Sequence, residues 1–68
     1  MTDTKRLNNI IKNSGLKKKY IAEQLGRTPN ALALKIDGTN EFTCGEVSKL
    51  CRILNITDPA EIYTLFLM

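Results

Sequence analysis

The stretch AEQLGRTPNALALKIDG, residues Ala22–Gly38, decides how this chain folds. It indicates the end of one helix, a bend at Gly26 and a second helix that begins at Thr28. A threonine side chain accepts a hydrogen bond from a backbone N–H at a helix start, and proline is tolerated at the next position, so Thr28 and Pro29 form a start signal. The residues that follow, NALALK, are very apolar for a helix that faces water. This helix therefore needs a contact that the stretch itself does not supply.

The chain before the bend predicts two helices. The first spans about residues 4–14 and ends at Gly15, because glycine adopts the left-handed cap conformation without strain. Its apolar residues have the i, i+3, i+4 spacing of a single helix face: Leu7, Ile10 and Ile11. The second spans about residues 18–25 and ends at Gly26. Its inner face consists of Ile21, Ala22 and Leu25.

The chain after the third helix predicts two more. Thr43 and Glu46 have the spacing of a capping box, in which each side chain bonds the backbone N–H of the other residue. The fourth helix then carries an inner stripe of Val47, Leu50, Cys51 and Leu54. Asp58 and Pro59 repeat the start signal for a fifth helix over about residues 59–67. Its inner face consists of Ile62, Leu65 and Phe66.

These signals predict one all-α domain over residues 1–68, a compact five-helix bundle without strands. The net charge of +3 is weak support for a polyanionic partner. Cys44 and Cys51 would lie about 10 Å apart along one helix, which is too far for a disulfide. Two thiols without histidine make a poor zinc site, so we expect reduced cysteines, no metal and no cofactor.

Other function classes find little support in the sequence. No apolar run reaches the roughly 20 residues that span a bilayer, and the first ten residues lack the apolar segment of a signal peptide. We therefore expect a cytoplasmic protein without membrane contact. The chain has no histidine, no glycine-rich phosphate loop and no paired carboxylates in an evident pocket, so we expect that it is not an enzyme.

The second and third predicted helices are separated by about three residues that include a glycine. That arrangement, over about residues 18–36, is typical of a helix-turn-helix, whose second helix enters the major groove of DNA.

The segment SGLKKKYIAEQLG, residues 14–26, resembles the pattern Ser-Gly-Leu-Thr-x-x-x-Leu-Ala-x-x-Leu-Gly of phage Cro and repressor proteins, the XRE-like group. The segment LKIDGTNEFTCGEVSKLCRILNI, residues 34–56, is similar to a subgroup with Lys-Ile-Asn-Gly, a Phe-Thr and a helix that ends in Leu-Asn-Ile. The resemblance runs from about Leu7 to Ile62 and implies a lambda-repressor-like fold. It also implies sequence-specific binding to double-stranded operator DNA, usually as a dimer, in a transcriptional regulator of phage or mobile-element type.

The resemblance further implies that the start of the second helix and the exposed side of the third face DNA. In this sequence those positions are Lys18, Lys19, Thr28, Pro29, Asn30, Ala33 and Leu34. The chemistry of the side chains agrees. The Asn30 amide can pair with an adenine edge, and the apolar Ala33 and Leu34 can contact a thymine methyl group. Two alternatives stay open: Asn30 is an ordinary polar residue, or Leu34 joins the core with Ile36.

Basic residues predict contacts to phosphate. Lys17, Lys18 and Lys19 crowd the positive end of a helix dipole, a cost that a phosphate would relieve, although a solvated charge run is the plain alternative. Arg27 and Lys35 add charge near the same surface, or are ordinary solvent residues. Lys17 replaces the threonine cap usual in the family, and Lys18 replaces its glutamine. Together these departures predict a large phosphate component and steep salt dependence.

The C-terminal segment AEIYTLFLM is too apolar for one helix face. We expect Tyr63, Leu67 and Met68 to form a homodimer contact, although the segment could equally fold back over the first helix or fray. A second function remains open, that of an antirepressor-like interaction module on the same scaffold. Its partner would be a phage or host regulatory protein, and the apolar ALAL face favours it.

Overall fold

The structure is a computed structural model and describes residues 2–67. Within that range the chain forms helices joined by short turns and contains no strand. The helices are α1 (Thr4–Ser14), α2 (Lys18–Leu25), α3 (Pro29–Ile36), α4 (Cys44–Ile53) and α5 (Pro59–Phe66). The five predicted helices and the all-α fold are therefore confirmed. α3 begins at Pro29, one residue after the predicted start, and α5 ends at Phe66, one residue before the predicted end.

The helix starts are fixed by local hydrogen bonds that the sequence signals predicted. The Thr28 hydroxyl accepts a hydrogen bond from the Ala31 N–H at 3.1 Å, and Pro29 follows as the first residue of α3. Both halves of the capping box between Thr43 and Glu46 are formed. Asp58 caps α5 by accepting from the Ala60 N–H at 3.0 Å.

Each helix places one large, fully buried side chain in the core: Leu7, Ile21, Leu32, Leu50 and Leu65. Burial of such a side chain contributes roughly 1.5–3 kcal/mol, so no single helix dominates the stability. α2 packs against α3 and α4, while α1 packs against α3 and α5. The helix-turn-helix is therefore supported from behind by the rest of the bundle.

The turn between α2 and α3 needs a left-handed residue. Gly26 has φ of 71°, and its N–H donates to the Glu23 carbonyl at 3.1 Å. The next N–H, that of Arg27, donates to the Ala22 carbonyl at 2.9 Å. Ala22 is fully buried at this point, where the small side chain lets the two helices approach each other. The turn is thus closed by its own backbone, and α3 begins two residues later.

The two ends of the described chain meet at one edge of the bundle. The Asp3 N–H donates to the Leu65 carbonyl at 2.7 Å, which ties the segment before α1 to the last turn of α5. Asp3 also caps α1, since its carboxylate accepts from the Arg6 N–H at 3.2 Å. The longest helix of the described part has 11 residues, and none there is long and apolar enough to cross a membrane.

Candidate nucleic-acid interface

The outward face of α3 gathers the side chains expected to read bases. Thr28, Pro29, Asn30 and Ala33 are exposed. At 100° per residue, Asn30, Ala33 and Leu34 fall within an arc of about 100°, and the helix is anchored from the other side by its buried residues. The structure thus brings Asn30, Ala33 and Leu34 onto one side of α3, and Thr28 and Pro29 lie exposed at its start.

Leu34 has an intermediate position. It is half-buried, yet it lies outside the hydrophobic core cluster that includes its neighbour Ile36. The structure therefore shows neither a freely exposed leucine nor one that has joined the core. Part of its apolar surface remains on the same face as Ala33.

The start of α2 has no side-chain cap. Lys17 occupies the cap position with φ of −78° and ψ of 143°, but its side chain makes no capping hydrogen bond. A lysine ammonium has no acceptor atom, so it leaves the first N–H groups of the helix without a side-chain partner. Lys17, Lys18 and Lys19 are all exposed around this end. Cations and backbone donors together are the features that bind an anion at a helix start.

The side chain of Lys35 does not point where the sequence predicted. It is only 9% exposed, and its ammonium donates to Glu46 Oε1 at 2.6 Å and to the Glu41 carbonyl at 3.2 Å. The ammonium is therefore directed into the protein, where the Glu46 carboxylate compensates its charge, and not outward to a phosphate. This corrects the expectation that Lys35 reaches toward DNA from the end of α3.

Arg27 remains half-exposed in the turn, but it is also anchored. Its Nε donates to Glu46 Oε2 at 2.6 Å, and 47% of its side chain is accessible. Glu46 therefore accepts from two cations, while only 7% of its own side chain is exposed. We call Arg27, Lys35 and Glu46 the ion triad.

The protonation state of Glu46 follows from these contacts. Burial raises the pKa of the carboxyl group, because the charged form loses its water. The hydrogen bonds from Lys35, the Thr43 N–H and Arg27, with the charge of Lys35, outweigh burial and lower the pKa from 4.5 to about 2. Glu46 is thus ionised at neutral pH, as both cations require.

The sequence pattern predicted Glu46 as part of a cap but did not predict the ion triad. Glu46 lies 11 residues from Lys35 and 19 from Arg27, so no helical spacing rule connects them. One signal was present in α3. Leu32, Lys35 and Ile36 have the i, i+3, i+4 spacing of the buried face, which indicates an inward lysine that needs an acidic partner.

The exposed apolar surface is concentrated near α5. Tyr63 is 54% exposed and Leu67 is 64% exposed, and Met68, the third expected dimer residue, lies outside the described residues. A shallow cavity of about 180 Å³ lies beside Leu67, between Phe42 and Val47. Tyr20 on α2 is also 47% exposed, which the sequence reading did not single out.

The two cysteines are free and lie in different environments. Cys44 is exposed in the first turn of α4, whereas Cys51 is buried and only 7% accessible. Burial, and then the negative charge of Glu61, raise the pKa of the Cys51 thiol. Among residues 2–67, no group of three or more His, Cys, Asp or Glu side chains is placed to hold a metal ion.

Comparison with known proteins adds one match. A protein-family model described as "Cro/C1-type HTH DNA-binding domain" matches residues 6–66. That range covers nearly all of α1 and the whole of α2 through α5. Neither the search of curated proteins nor the search of solved structures returns a match.

Proposed function

Because the chain belongs to the family of Cro/C1-type helix-turn-helix DNA-binding domains, we propose that it is a transcriptional regulator that binds operator DNA through α3. The observation that carries the proposal is the exposed face of α3, together with a lysine-rich start of α2 that has no side-chain cap. A helix of this kind fits the major groove, while the cations flank it at the phosphates. We further propose a phage or mobile-element regulator that works in the cytoplasm, where such DNA is found.

The proposed base contacts are made by the exposed end and face of α3. Asn30 pairs through its amide with the N6 and N7 edge of adenine, and Ala33 and Leu34 contact thymine methyl groups. The Thr28 hydroxyl accepts the capping hydrogen bond from the Ala31 N–H. Its contact with DNA would therefore be made by the other exposed atoms of its side chain. The ring of Pro29, next to Thr28, packs against the wall of the groove. Few of these side chains are polar, which favours modest sequence selectivity.

The proposed phosphate contacts are made by Lys17, Lys18 and Lys19, with Arg27 at the adjoining turn. The absence of a side-chain cap supports this assignment, because free N–H groups and exposed ammonium groups share one helix start. We leave Lys35 out of the set, since its ammonium is bound to Glu46.

We also propose that two copies associate through the exposed Tyr63 and Leu67. A two-fold dimer through this surface would place two copies of α3 against half-sites about 34 Å apart along the DNA. The support is the apolar surface that α5 leaves open beside a shallow cavity.

Titration of the protein against a random duplex at two salt concentrations tests the DNA proposal. We expect binding at low salt that weakens steeply as salt rises, because each neutralised phosphate releases counterions. Footprinting on DNA that flanks the protein's own gene then locates the operator. An absence of binding to any duplex at low salt would contradict the proposal and favour the antirepressor-like module, whose partner would be another regulatory protein.

A further inference from the structure

We propose that Glu46 is the positioning residue of α3: its carboxylate holds the chain at both ends of this helix and so sets the angle at which Asn30 and Ala33 meet the bases. The inference rests on the proposed function. It assigns part of the sequence selectivity to a buried residue outside the proposed set of DNA contacts.

The two carboxylate oxygens of Glu46 bind different parts of the chain. Oε2 accepts from Arg27 Nε at 2.6 Å, directly before the cap residue of α3. Oε1 accepts from Lys35 Nζ at 2.6 Å, in the last turn of α3, and from the Thr43 N–H at 2.8 Å. One side chain of α4 therefore holds Arg27, just before the cap of α3, and Lys35, in the last turn of α3.

Apart from the ion triad, α3 has few buried side chains that anchor it. It has only eight residues, and its buried apolar side chains are Leu32 and Ile36. Leu32 and Ile36 lie one turn apart on the same line of the helix, and hydrophobic contact has no direction, so these two contacts restrain rotation of α3 less than directional bonds do. Charged hydrogen bonds at 2.6 Å do have direction, so the ion triad restrains the rotation that the apolar contacts permit.

Glu46 is itself held by hydrogen bonds at the start of α4. Its own N–H donates to the Thr43 hydroxyl at 3.1 Å, which completes the capping box of α4. The neighbouring Phe42 lies 6.0 Å from Lys35 Nζ and packs edge-on against Phe66 of α5, with ring centroids 5.7 Å apart. The carboxylate is thus held at the start of α4, and its partner Lys35 lies near a ring that packs on α5.

Replacement of Glu46 by glutamine tests the role. Glutamine keeps the geometry of a capping box but removes the charge that holds Lys35 and Arg27. Glu23→Gln is the matched control, because Glu23 is exposed on α2 and the charge change is the same. The operator duplex is one selected from random DNA with the wild-type protein, and both variants are compared at a temperature at which circular dichroism shows them folded.

We expect Glu46→Gln to weaken operator binding at least about tenfold more than Glu23→Gln does, because a displaced α3 loses its base contacts. Binding to random duplex should not weaken, since phosphate contacts depend on charge and little on the angle of α3. Equal ratios of operator to random-duplex affinity in the two variants would overturn the proposal.

A second variant allows the same measurement if Glu46→Gln does not fold. The double variant Lys35→Met/Glu46→Gln removes both buried charges, so neither is left without a partner, and its net charge equals that of the wild type. It should also lose operator selectivity about tenfold while it binds random duplex as the wild type does. Full retention of selectivity in this folded variant would contradict a positioning role.

A readout without DNA separates this inference from the proposed function. In the free protein, Glu46→Gln should speed amide hydrogen exchange in α3 about tenfold more than in α1, because α3 loses its restraint. Equal acceleration in both helices would show a general loss of stability and overturn the inference. If the wild type binds no duplex, the proposed function fails, and the exchange data still decide whether Glu46 restrains α3.

Discussion

Asn30 stands exposed in the first turn of α3, where its amide is free of any capping duty, since Thr28 caps the helix. Asn30→Ala should therefore cost about 1–3 kcal/mol of affinity for the selected operator and relax selectivity at one base position. Repeating the DNA selection with the variant measures this directly. Unchanged preference at every position would remove Asn30 from the set of base-reading residues.

Lys18 is a proposed phosphate contact, so its replacement should affect affinity and not selectivity, in contrast to Asn30. It is exposed at the start of α2, so Lys18→Ala should weaken binding to all duplexes about equally. The slope of the logarithm of the binding constant against the logarithm of salt concentration should decrease by about 1. Titrations of operator and random duplex at several salt concentrations provide both numbers. A loss confined to the operator would contradict a phosphate contact.

The different exposure of the two cysteines predicts that only one thiol reacts quickly. Cys44 is exposed, whereas Cys51 is buried and its thiol pKa is raised by burial and by Glu61. The thiolate is the reactive form of cysteine. Cys51 therefore reacts slowly for two reasons: its sulfur is buried, and its raised pKa leaves less of it as thiolate. A chromogenic thiol reagent at pH 8 should modify one thiol quickly and the second only after denaturant is added. Cys44→Ser should abolish the fast phase, and two fast thiols in the wild type would show that Cys51 is accessible.

At the scale of the helices, the ion triad makes the α3–α4 arrangement sensitive to acid. The pKa of Glu46 is lowered from 4.5 to about 2, so the folded state keeps this carboxylate ionised at a pH where the unfolded chain binds a proton. Between about pH 4.5 and 2 the unfolded state binds more protons, and stability falls as the pH falls. Above pH 4.5 the contribution is complete and corresponds to about 3 kcal/mol.

We therefore expect the free energy of unfolding of the wild type to decrease from pH 5 to pH 2 by about 3 kcal/mol more than that of Glu46→Gln. At pH 7 the variant should be the less stable protein, since it leaves Lys35 buried without its counter-charge. Urea unfolding followed by circular dichroism at several pH values measures both differences. Parallel pH profiles for the two proteins would show that Glu46 has an ordinary pKa.

The helices could be predicted from the sequence because their start and stop signals are local. Thr28-Pro29, the Thr43–Glu46 box and Gly26 each act within four residues, and their hydrogen bonds form as expected. The faces of the helices follow from periodicity for the same reason. The candidate site was predicted less completely, since Lys35 was assigned to phosphate. Its orientation depends on Glu46, a residue of another helix, and that pairing exists only once the bundle has closed.

At the scale of the whole molecule, the exposed surface of α5 predicts association. Tyr63 and Leu67 remain more than half exposed, and two copies that cover them would remove apolar surface from water. Tyr63→Ser/Leu67→Ser should shift the protein toward the monomer in sedimentation equilibrium and weaken binding to a two-half-site operator more than to a single half-site. Tyr20→Ser, which removes an exposed tyrosine from α2, is the matched control. A wild type that stays monomeric at all concentrations would refute the dimer.

The hydrogen bond between the Asp3 N–H and the Leu65 carbonyl places both ends of the described chain side by side. A short peptide bridge across this gap would turn the backbone into a ring without moving any helix. Opening the ring in the exposed loop between α3 and α4 would give a circular permutant in which α4 and α5 precede α1. Arg27 and Lys35 would then belong to the last part of the chain and Glu46 to the first, so the triad would connect opposite ends of the polypeptide and its formation would require closure of a longer loop.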